Sequence, residues 1–540
     1  MYYPSLFNII IALLWFITAS IDIGGHTYYW QLKWYRIDRF KDFLSTIQGK
    51  QYIFSYPIFW RTLLVLLISF FPIHNIKLLK EIIVFLFLAD IVRIGYLYLH
   101  KRLRRPQSSI KAMLIVLLSL SVEALLLIYT RYWAILLFAL VLRPIVVSIF
   151  VIGINKMTDT LKKWYFIRAE KKLKKYKNLT VIGITGSYGK TTVKEFLSHI
   201  VSKKFRVIKT PRNINSDIGI SRFILETDFS EADIFIVEIG AYNKGDVQLI
   251  CDIVHPTIGI LTAINEQHLS LFGSMKNIQD AKYELLRAIP KSGVAITNAD
   301  NPYCMEYIDE LEAKVMTFGI ETTHNPTCVI RDIKHREHEI LSVDIKLKTG
   351  KRELIDFYPK ITGRHNALNI APCLLAADCV GMTKKEMVDA TNDLRDPKTA
   401  IHTYSYGKTT IIDDSYNSNP HGFRAALDVL ASYPTKKRRI VVTRGMLELG
   451  AKSDELHAQI GGEIAFVTDE LVIITDDFIE SLTQGVVEKY KTTVLEKTDP
   501  EALLAYIKDQ KDTNSVILLE NRIPAIIHQE LDKHKKNSTT

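Results

Sequence analysis

The chain has 540 residues, enough for three or four domains, and 48% of them are hydrophobic. Its net charge of +11 is confined to one end: residues 1–180 contain 25 Lys/Arg and 8 Asp/Glu (net +17), whereas the remaining 360 contain 44 and 50 (net −6). A basic excess beside apolar segments indicates contact with anionic lipid rather than with nucleic acid. The five cysteines form no C-x-x-C pair, which argues against a zinc site or a disulfide framework.

Five apolar runs within residues 1–155 approach the roughly 20 residues that a helix needs to cross a bilayer. Basic residues are frequent after the first, third and fifth runs and scarcer after the second and fourth. By the positive-inside rule this alternation predicts a multi-pass cell-membrane protein, with the N-terminus outside, residues 156–178 as a basic juxtamembrane linker, and the C-terminal body on the cytoplasmic face. The predicted membrane helices are Ser5–Ile23, Ile53–Ile73, Ile82–Leu99, Ile110–Thr130 and Trp133–Ile154.

Several ionisable residues lie inside these runs, namely Arg61, Asp90, Arg93, Glu123 and Arg143. Charges at membrane depth are costly, which makes them functional candidates, although snorkelling or structural ion pairing is the simpler explanation. The segment YYWQLKWYRIDRFKDFL mixes aromatic and basic residues, as in a headgroup-layer helix that contacts anionic lipid or in an aromatic belt. We therefore expect membrane lipid as a partner.

From about residue 179 the pattern changes to short Val/Ile-rich strands that alternate with helical sequence. Such runs predict a parallel sheet covered on both faces, in which ligands bind beyond the carboxyl ends of the strands. Polar residues follow four predicted strands at this edge: Lys190 after LTVIGIT, Glu238 in ADIFIVEIG, His268 after PTIGILTAI and Asn298 in SGVAITNAD. Their shared position predicts a site.

The loop after the first predicted strand, GITGSYGKTT, has the composition of a phosphate-binding loop. Backbone N–H groups from Gly186 to Lys190, with the start of the next helix, form an anion cradle. The Lys190 ammonium suits terminal phosphates, the Thr191 hydroxyl suits Mg²⁺, and Glu238 is a hard oxygen ligand for the same ion. A plain strand–helix turn is the alternative, but the acid at a neighbouring strand end favours nucleotide binding.

A second α/β unit begins near residue 397, with predicted strands in TTIIDDSYN, RRIVVTRGM, ELVIITDDF and NSVILLENR. It lacks a phosphate loop, as is typical of a small Rossmann-like domain that closes over a nucleotide held elsewhere. The predicted fold class is therefore α/β: a P-loop-type parallel-sheet ATP-binding domain plus a C-terminal Rossmann-like domain, preceded by a bundle of about five transmembrane helices.

The order of motifs in this body resembles that of the Mur ligases, ATP-dependent enzymes that form amide bonds. The resemblance covers residues 180–470, is strongest toward the branch that adds D-alanyl-D-alanine, and implies a central ATP-binding domain at 179–396 and a C-terminal domain at 397–540. The motifs are GITGSYGKTTVKEF, PRNINSDIG, EIGAYNKGDV, NEQHLSLFGSMKNIQDAKYE, NADNP, GRHNALNIAPCLLAA, IIDDSYNSNPHGFRAAL and MLELGAKSDELHAQIG.

The resemblance implies that ATP, with Mg²⁺, phosphorylates a substrate carboxylate and that an amine attacks the acyl phosphate. The implied acyl substrate is a muramoyl peptide or a lipid-linked version of it, and the implied amine is D-Ala-D-Ala or another amine. The implied catalytic residues are Lys190, His268 and Lys282, of which Lys282 matches a lysine that some relatives carbamylate. The implied metal ligands are Thr191 and Glu238 for a first Mg²⁺, His268 for a second, and Lys282 if it is carbamylated. The implied ATP-binding residues are Thr185, Gly186, Ser187, Tyr188, Gly189, Lys190, Thr191 and Thr192 in and after the loop, Asn366 and Asn369 on the adenine side, and Asp413 or Asp414 at the ribose or phosphate. The implied substrate residues are Asn213, Asn215, Asn417 and Asn419.

The chain departs from the family pattern in three places. Residues 398–399 read Lys-Thr where the family usually has Gly-Arg, and residues 520–522 read Glu-Asn-Arg where Lys-Gly-Ser is expected. Membrane helices replace the soluble N-terminal domain that grips the uridine nucleotide in the typical member. The main hypothesis is a membrane-anchored ligase of a cell-wall peptide. A membrane ligase making another polymer, such as poly-γ-glutamate, and a catalytically impaired ligase-like scaffold are the alternatives.

Overall fold

The chain divides into two compact units, Met1–Lys163 and Trp164–Thr540. A computed structural model describes residues 6–70, 76–100, 103–129, 133–211, 214–320, 325–336, 340–347, 353–357, 359, 361, 365–395, 401–415, 418–486 and 492–535.

All regular secondary structure in the described part of the first unit is helical. Its helices are α1 (Leu6–Leu32), α2 (Ile37–Ser45), α3 (Ile47–Ile53), α4 (Tyr56–Phe70), α5 (Ile76–Leu99), α6 (Ile110–Tyr129) and α7 (Trp133–Leu173). Among the described residues, α1, α5, α6 and α7 are long and apolar enough to cross a membrane. Helix α4 has 15 residues, about 22 Å at the helical rise, against a hydrocarbon core of roughly 30 Å. By length and composition, the prediction of five spans is one too many.

The second predicted run is divided because Ile53 ends α3 and α4 begins at Tyr56 with Pro57 in its first turn. Proline lacks an N–H group and disfavours helical geometry in the residue before it, so it starts a helix rather than continuing one. The end of that run, residues 71–75, lies outside the described part of the chain. Helix α7 instead continues to Leu173, through most of the predicted linker, whose Lys, Leu and Glu residues favour helix.

Buried ion pairs join the helices of the first unit. Arg61 contacts Asp22 at 2.5 Å and Asp90 at 3.2 Å, while Arg143 contacts Asp22 at 2.7 Å and Glu123 at 2.8 Å. Each arginine is about 2% exposed or less and contacts two carboxylates from different helices. Breaking such a pair leaves an uncompensated buried charge, so these residues fix the helix packing. Structural ion pairing therefore accounts for these charges. Asp22, which was not predicted from the sequence, also takes part in the ion pairs.

Three polar segments of the first unit lie at one end of its helices. Gln31 donates from Nε2 to the Gln107 carbonyl at 3.0 Å and accepts from the Gln107 N–H at 2.6 Å. The Asn155 amide donates to the Tyr35 carbonyl at 2.8 Å and accepts from Lys111 Nζ at 2.5 Å. The end of α1, the segment that leads into α6 and the middle of α7 therefore meet. These are the three regions whose basic residues predicted a common side.

The second unit opens with an α/β domain built on a nine-stranded sheet in its described residues, in the order β2-β3-β1-β4-β5-β6-β7-β8-β9. Strands β2 to β7 are parallel, and β7, β8 and β9 pair antiparallel. The elements are β1 (Thr180–Thr185), α8 (Lys190–Val201), β2 (Val207–Lys209), α9 (Asp217–Glu226), β3 (Ile234–Glu238), α10 (Asp246–Val254), β4 (Ile258–Leu261), α11 (Leu269–Phe272), α12 (Met275–Arg287), β5 (Val294–Asn298), α13 (Pro302–Met305), β6 (Lys314–Gly319), β7 (Cys328–Arg336), β8 (Ile340–Leu347), β9 (Glu353–Phe357), α14 (His365–Cys379) and α15 (Lys384–Asn392), with a 3-10 turn at Ile308–Glu310.

A second α/β domain follows, with a six-stranded sheet in the order β10-β11-β15-β12-β13-β14. It is parallel except for the edge pair β10–β11, as expected for a Rossmann-like domain. Its elements are β10 (His402–Tyr406), β11 (Thr409–Asp414), α16 (Pro420–Ala431), β12 (Arg438–Thr443), a 3-10 turn (Gly450–Lys452), α17 (Ser453–Val467), β13 (Glu470–Ile473), α18 (Ile479–Gly485), β14 (Thr493–Glu496), α19 (Pro500–Asp509), β15 (Ser515–Glu520) and α20 (Ala525–Lys535).

The first sheet brings the predicted site residues to one edge. Strand β1 is buried on both faces and lies between β3 and β4, with β5 beyond β4. Side chains of α8 and α14 cover one face of the sheet and those of α10 and α12 the other. The carboxyl ends of β3, β1, β4 and β5 are therefore neighbours, at the point where the strand order reverses and α/β sheets bind ligands. Four strands predicted from the sequence thus form one continuous edge.

Candidate active site

The loop between β1 and α8 has a backbone that only glycine fits at two positions. Gly186 has a φ of 148°, and a Cβ there would lie 2.0 Å from the Thr262 hydroxyl oxygen. Gly189 has a φ of 79°, and its Cβ would lie 2.7 Å from Asn369 Oδ1. The Ser187 N–H donates to the Ala263 carbonyl at 2.7 Å, which ties the loop to the segment after β4. The conformation of the loop is thus stabilised by contacts with distant segments of the chain.

Lys190 is the first residue of α8, and its side chain turns back over the loop. Its Nζ donates to the Gly186 carbonyl at 2.7 Å and the Ser187 carbonyl at 3.2 Å. Burial lowers the pKa of Lys190, an effect that the Glu238 carboxylate partly opposes. The helix N-cap is Gly189, which has no side chain to accept from the first turn. The N–H groups of that turn, including those of Thr191 and half-buried Thr192, are the groups that bind anions.

Glu238 ends β3 and carries the carboxylate of the site. Its Oε1 accepts from the Thr191 hydroxyl at 3.0 Å and from Asn215 Nδ2 at 3.1 Å, and its Oε2 lies 3.0 Å from Lys194 Nζ. Burial raises the pKa of Glu238, but the charges of Lys194 and Lys190 outweigh it and hold that pKa below its usual value. Lys194 is fully buried and was missed by sequence reasoning. Its spacing of four from Lys190, which puts both on one face of α8, was the available signal.

His268 and Lys282 complete the basic side of the site. His268 has a left-handed backbone (φ 63°), its Nδ1 is hydrogen-bonded to Glu448 Oε2, and its ring meets the edge of Tyr242 at 5.0 Å. Burial holds the pKa of His268 below its usual value. Lys282 is buried in α12, and burial followed by repulsion from Lys190 lowers its pKa to about 7. Lys190 is close enough to lower the pKa of both residues. Three basic groups thus converge, as in an anion site.

The oxygen donors of this edge fit Mg²⁺ bound through a nucleotide. Thr191 Oγ1 and Glu238 Oε1 are 3.0 Å apart, and Mg²⁺ is usually held by one or two carboxylates together with substrate phosphates and water. No group of three or more His, Cys, Asp or Glu side chains that could hold a metal ion occurs among the described residues. The donor set therefore suits an ion that arrives with phosphate oxygens rather than one in an all-protein cage.

The C-terminal domain contributes side chains to the same loop. His421 stacks on Tyr188 with ring centroids 4.9 Å apart, and Asn265 donates to Asn419 Oδ1 at 3.2 Å. Asn419 Oδ1 also accepts the N–H groups of the first turn of α16, so this residue, predicted to meet substrate, caps a helix and links the two domains. Of the other three asparagines predicted for substrate, Asn215 donates to Glu238, whereas Asn213 and Asn417 lie outside the described residues, as do residues 398–399.

The predicted ribose or phosphate acids of the C-terminal domain form a carboxyl pair with a residue from the neighbouring strand. Asp414 and Glu520 face each other in the register of β11 and β15. Burial raises the pKa of Asp414 to about 7, with a further contribution from Asp413, and burial with the Asp414 charge raises the pKa of Glu520. The Ser418 hydroxyl donates to Glu520 Oε1 at 2.6 Å, and Asp413 accepts from the Ser415 hydroxyl at 2.5 Å.

The remaining predicted ATP residues lie around the loop. Asn369 donates to Asn366 Oδ1 at 3.0 Å, and both stand on α14. The oxygen of Asn369 faces Gly189, so this pair supports the phosphate loop, and its predicted contact with adenine stays a prediction. Thr185 is buried and donates to the Ile239 carbonyl at 2.9 Å, which secures the strand end rather than presenting a hydroxyl to ligand.

The fold and the site define a nucleotide-binding α/β protein in which a second α/β domain reaches the phosphate loop of the first. Residues 184–377 match the Mur ligase middle domain, and residues 401–520 match the Mur ligase glutamate ligase domain. Together the two matches cover more than half of the chain, which belongs to the Mur ligase family.

Relatives and solved structures support this assignment. A UDP-N-acetylmuramoyl-tripeptide–D-alanyl-D-alanine ligase of Synechocystis is 32% identical over 55% of this chain and 62% of its own, and that of Bacillus subtilis is 27% identical over 63% and 72%. The chain thus spans about three fifths of the length of the Synechocystis relative. MurF of Acinetobacter baumannii and MurF of Thermotoga maritima, the latter solved with ADP, share the fold, each with a TM-score of 0.60 and 24% identity over 69% of this chain and 80% and 84% of theirs.

Proposed function

We propose that this protein is a membrane-anchored, ATP-dependent ligase that joins the carboxylate of a muramoyl peptide to D-Ala-D-Ala. The observation that carries the proposal is the phosphate loop with Lys190 folded over it, beside the paired oxygens of Thr191 and Glu238 and close to His268 and Lys282. An acyl phosphate builds up negative charge on several oxygens, and a buried cation such as Lys190 stabilises such charge more strongly than it would in water. The names of the relatives supply the acyl and amine substrates.

The chemistry proceeds in two steps. A carboxylate oxygen of the peptide attacks the γ-phosphorus of ATP, the bond to ADP breaks, and an acyl phosphate forms. The amine nitrogen then attacks the acyl carbon, phosphate leaves with the bonding electrons, and the amine proton passes to solvent. Both steps depend on positioning and charge neutralisation, which the loop N–H groups and Lys190 supply by binding the phosphates.

Mg²⁺, when bound, would neutralise phosphate charge, with Thr191 and Glu238 as protein ligands of a first ion and His268 as a ligand of a second. The local charge of the site depends on whether Lys282 is protonated, neutral or carbamylated. With a pKa of about 7, a large fraction of its amine is neutral at physiological pH, which is the form that takes up CO₂. Carbamylation turns a cation that repels Lys190 into a carboxylate-like group, and it makes Lys282 a fourth candidate ligand.

The first unit supports a membrane location. Four of its described helices are long and apolar enough to cross a bilayer, and the basic segments near residues 31–35, 107–111 and 155 share one end. The positive-inside rule assigns that end to the cytoplasm and the N-terminus to the outside. A membrane ligase in which these helices replace a domain for the uridine nucleotide has direct access to a lipid-linked muramoyl peptide, which we propose as the acyl substrate.

The test is a ligase assay on the full chain in nanodiscs, with ATP and Mg²⁺. Phosphate release and the mass of the product are measured with soluble and lipid-linked muramoyl tripeptide, each with and without D-Ala-D-Ala. We expect amine-dependent release that is lost in Lys190→Ala and kept in Lys203→Ala, a matched exposed lysine paired with Asp393. Release that ignores the amine contradicts the ligase proposal, and a strict preference for the soluble peptide contradicts the lipid-linked substrate.

A second candidate is a ligase that builds another polymer, such as poly-γ-glutamate. The observation that favours it is Glu520, an acid with a raised pKa where the family resemblance leads us to expect a lysine. An amine panel in the same assay separates the two: turnover with glutamate but not with D-Ala-D-Ala selects the second candidate. No turnover with any amine, together with intact ATP binding, selects the ligase-like scaffold. A cysteine placed at Thr158 and labelled only from outside contradicts the membrane orientation.

A further inference from the structure

A carboxylate of the C-terminal domain contacts the histidine of the middle domain. Glu448 lies between β12 and α17, and its Oε2 is hydrogen-bonded to His268 Nδ1, 180 residues away in the sequence. The side chains are about one fifth to one quarter exposed, so the contact lies at the rim of the buried site rather than in open solvent. The bond therefore joins the two domains at a residue that we assign to the metal site.

The backbones on both sides of this bond are fixed by further contacts. Glu448 and His268 each have a φ of 63°, a left-handed conformation that is unfavourable for a non-glycine residue. The Ser270 N–H donates to the Glu448 carbonyl at 3.1 Å, and a Cβ on Gly450 would lie 3.2 Å from the Ser270 backbone. Lys452 Nζ lies 3.6 Å from Glu266 Oε1. The segment 448–452 therefore rests on the segment 266–270.

The bond decides which ring nitrogen of His268 is available to a cation. A neutral imidazole has one N–H donor and one lone-pair acceptor, and a carboxylate on Nδ1 places the proton on that atom. The lone pair then lies on Nε2. Metal-binding histidines almost always donate their other N–H to a carboxylate or carbonyl, which fixes the ring and raises its basicity. Glu448 is in the position of that partner.

We propose that Glu448 is a positioning residue that sets the tautomer and ring orientation of His268 for Mg²⁺-nucleotide. Because Glu448 belongs to the C-terminal domain, the histidine is oriented for the metal only while segment 448–452 lies on segment 266–270. The orientation of a metal ligand in the middle domain thus depends on contact with the other domain. This inference rests on the proposed function for the role of His268, and it adds a residue to which no role has been assigned.

The test measures metal binding rather than turnover. Mn²⁺, which reports on Mg²⁺ sites, is titrated by electron paramagnetic resonance into the full chain with a non-hydrolysable ATP analogue. We expect Glu448→Ala to weaken Mn²⁺ binding about 10- to 100-fold. Glu448→Gln keeps an oxygen that accepts from Nδ1, so it retains most of the affinity and keeps the proposal testable if the alanine variant misfolds. In a His268→Ala background, Glu448→Ala causes no additional loss.

A matched control separates positioning from domain attachment. Lys452→Met removes the neighbouring interdomain contact to Glu266 without touching His268, and we expect Mn²⁺ affinity to stay within about twofold, as for other partly exposed ion pairs. Equal losses in Lys452→Met and Glu448→Ala, or wild-type affinity in Glu448→Ala, overturn the proposal. Mn²⁺ binding is measured independently of amide formation. A chain that binds Mn²⁺-nucleotide but forms no amide therefore refutes the proposed function without refuting this inference.

Discussion

Replacing Lys194 with methionine tests whether the carboxylate of the site depends on a buried cation. Lys194 Nζ lies 3.0 Å from Glu238 Oε2, and both side chains are at most 4% exposed. Methionine keeps most of the volume of the lysine stem and removes only the charge. Glu238 then keeps the Thr191 hydroxyl and the Asn215 amide on its other oxygen.

The expected cost follows from the burial of the pair. Removing one partner of a buried ion pair costs about 3–5 kcal/mol, and we take about 3 because Lys190 still acts on the Glu238 charge. For a domain of this size, 1 kcal/mol lowers the melting temperature by about 2–4 °C. We therefore expect Lys194→Met to melt about 6–12 °C below the wild type.

Differential scanning fluorimetry of the full chain in detergent measures this shift. The control is Lys203→Met, which removes an exposed ion pair with Asp393 and changes the melting temperature by about 2 °C or less. Glu238→Gln in the Lys194→Met background removes the unpaired charge and restores most of the stability. Equal melting temperatures for Lys194→Met and Lys203→Met would refute the buried-pair reasoning.

Three further changes test the phosphate loop, the carbamate and the acid pair. Gly189→Ala places a Cβ at a φ of 79° and 2.7 Å from Asn369, so we expect ATP affinity in a nucleotide titration to fall by about tenfold or more. The control is Gly381→Ala, at a similar φ in open space, which leaves ATP affinity unchanged. Lys282→Ala abolishes ligation, and short carboxylic acids added to the assay restore part of it; no rescue argues against a carbamate. In the acid pair, the pKa of Asp414 is raised to about 7 and that of Glu520 above its usual value. The folded domain therefore binds more protons than the unfolded chain between about pH 4 and 7. Its stability consequently falls as pH rises through that range. Glu520→Gln flattens this dependence and raises the denaturation midpoint at pH 8 relative to the wild type; an unchanged pH profile contradicts the pair.

Local patterns predicted the strands and the phosphate loop because each depends on residues close in sequence. Buried Val/Ile runs predicted the strand that ends at Glu238 and the strands that precede Lys190 and His268, and the parallel arrangement brought their ends to one edge. The second predicted membrane run was wrong in extent because one proline divides an apolar stretch that hydropathy treats as continuous.

Partners from distant parts of the chain were beyond the reach of the sequence. In the sequence Lys194 is an ordinary helix residue, and only the fold shows that β3 places Glu238 beside it. Glu448 is likewise an ordinary loop acid in the sequence, and only the contact between the domains pairs it with His268. Likewise, the packing of α14 sets the oxygen of Asn369 against Gly189, a contact that the sequence did not predict.

The sequence by itself determined the class of protein, because glycine spacing, strand periodicity and apolar length are local consequences of backbone geometry. Only the tertiary structure decided the electrostatics of the site. Whether Lys282 is a cation or a neutral amine, and which nitrogen of His268 can bind a metal, depends on burial and on charges such as those of Lys190 and Glu448, which only the fold brings near. Desolvation and Coulomb energy depend on distances in space, which the order of residues along a chain does not contain.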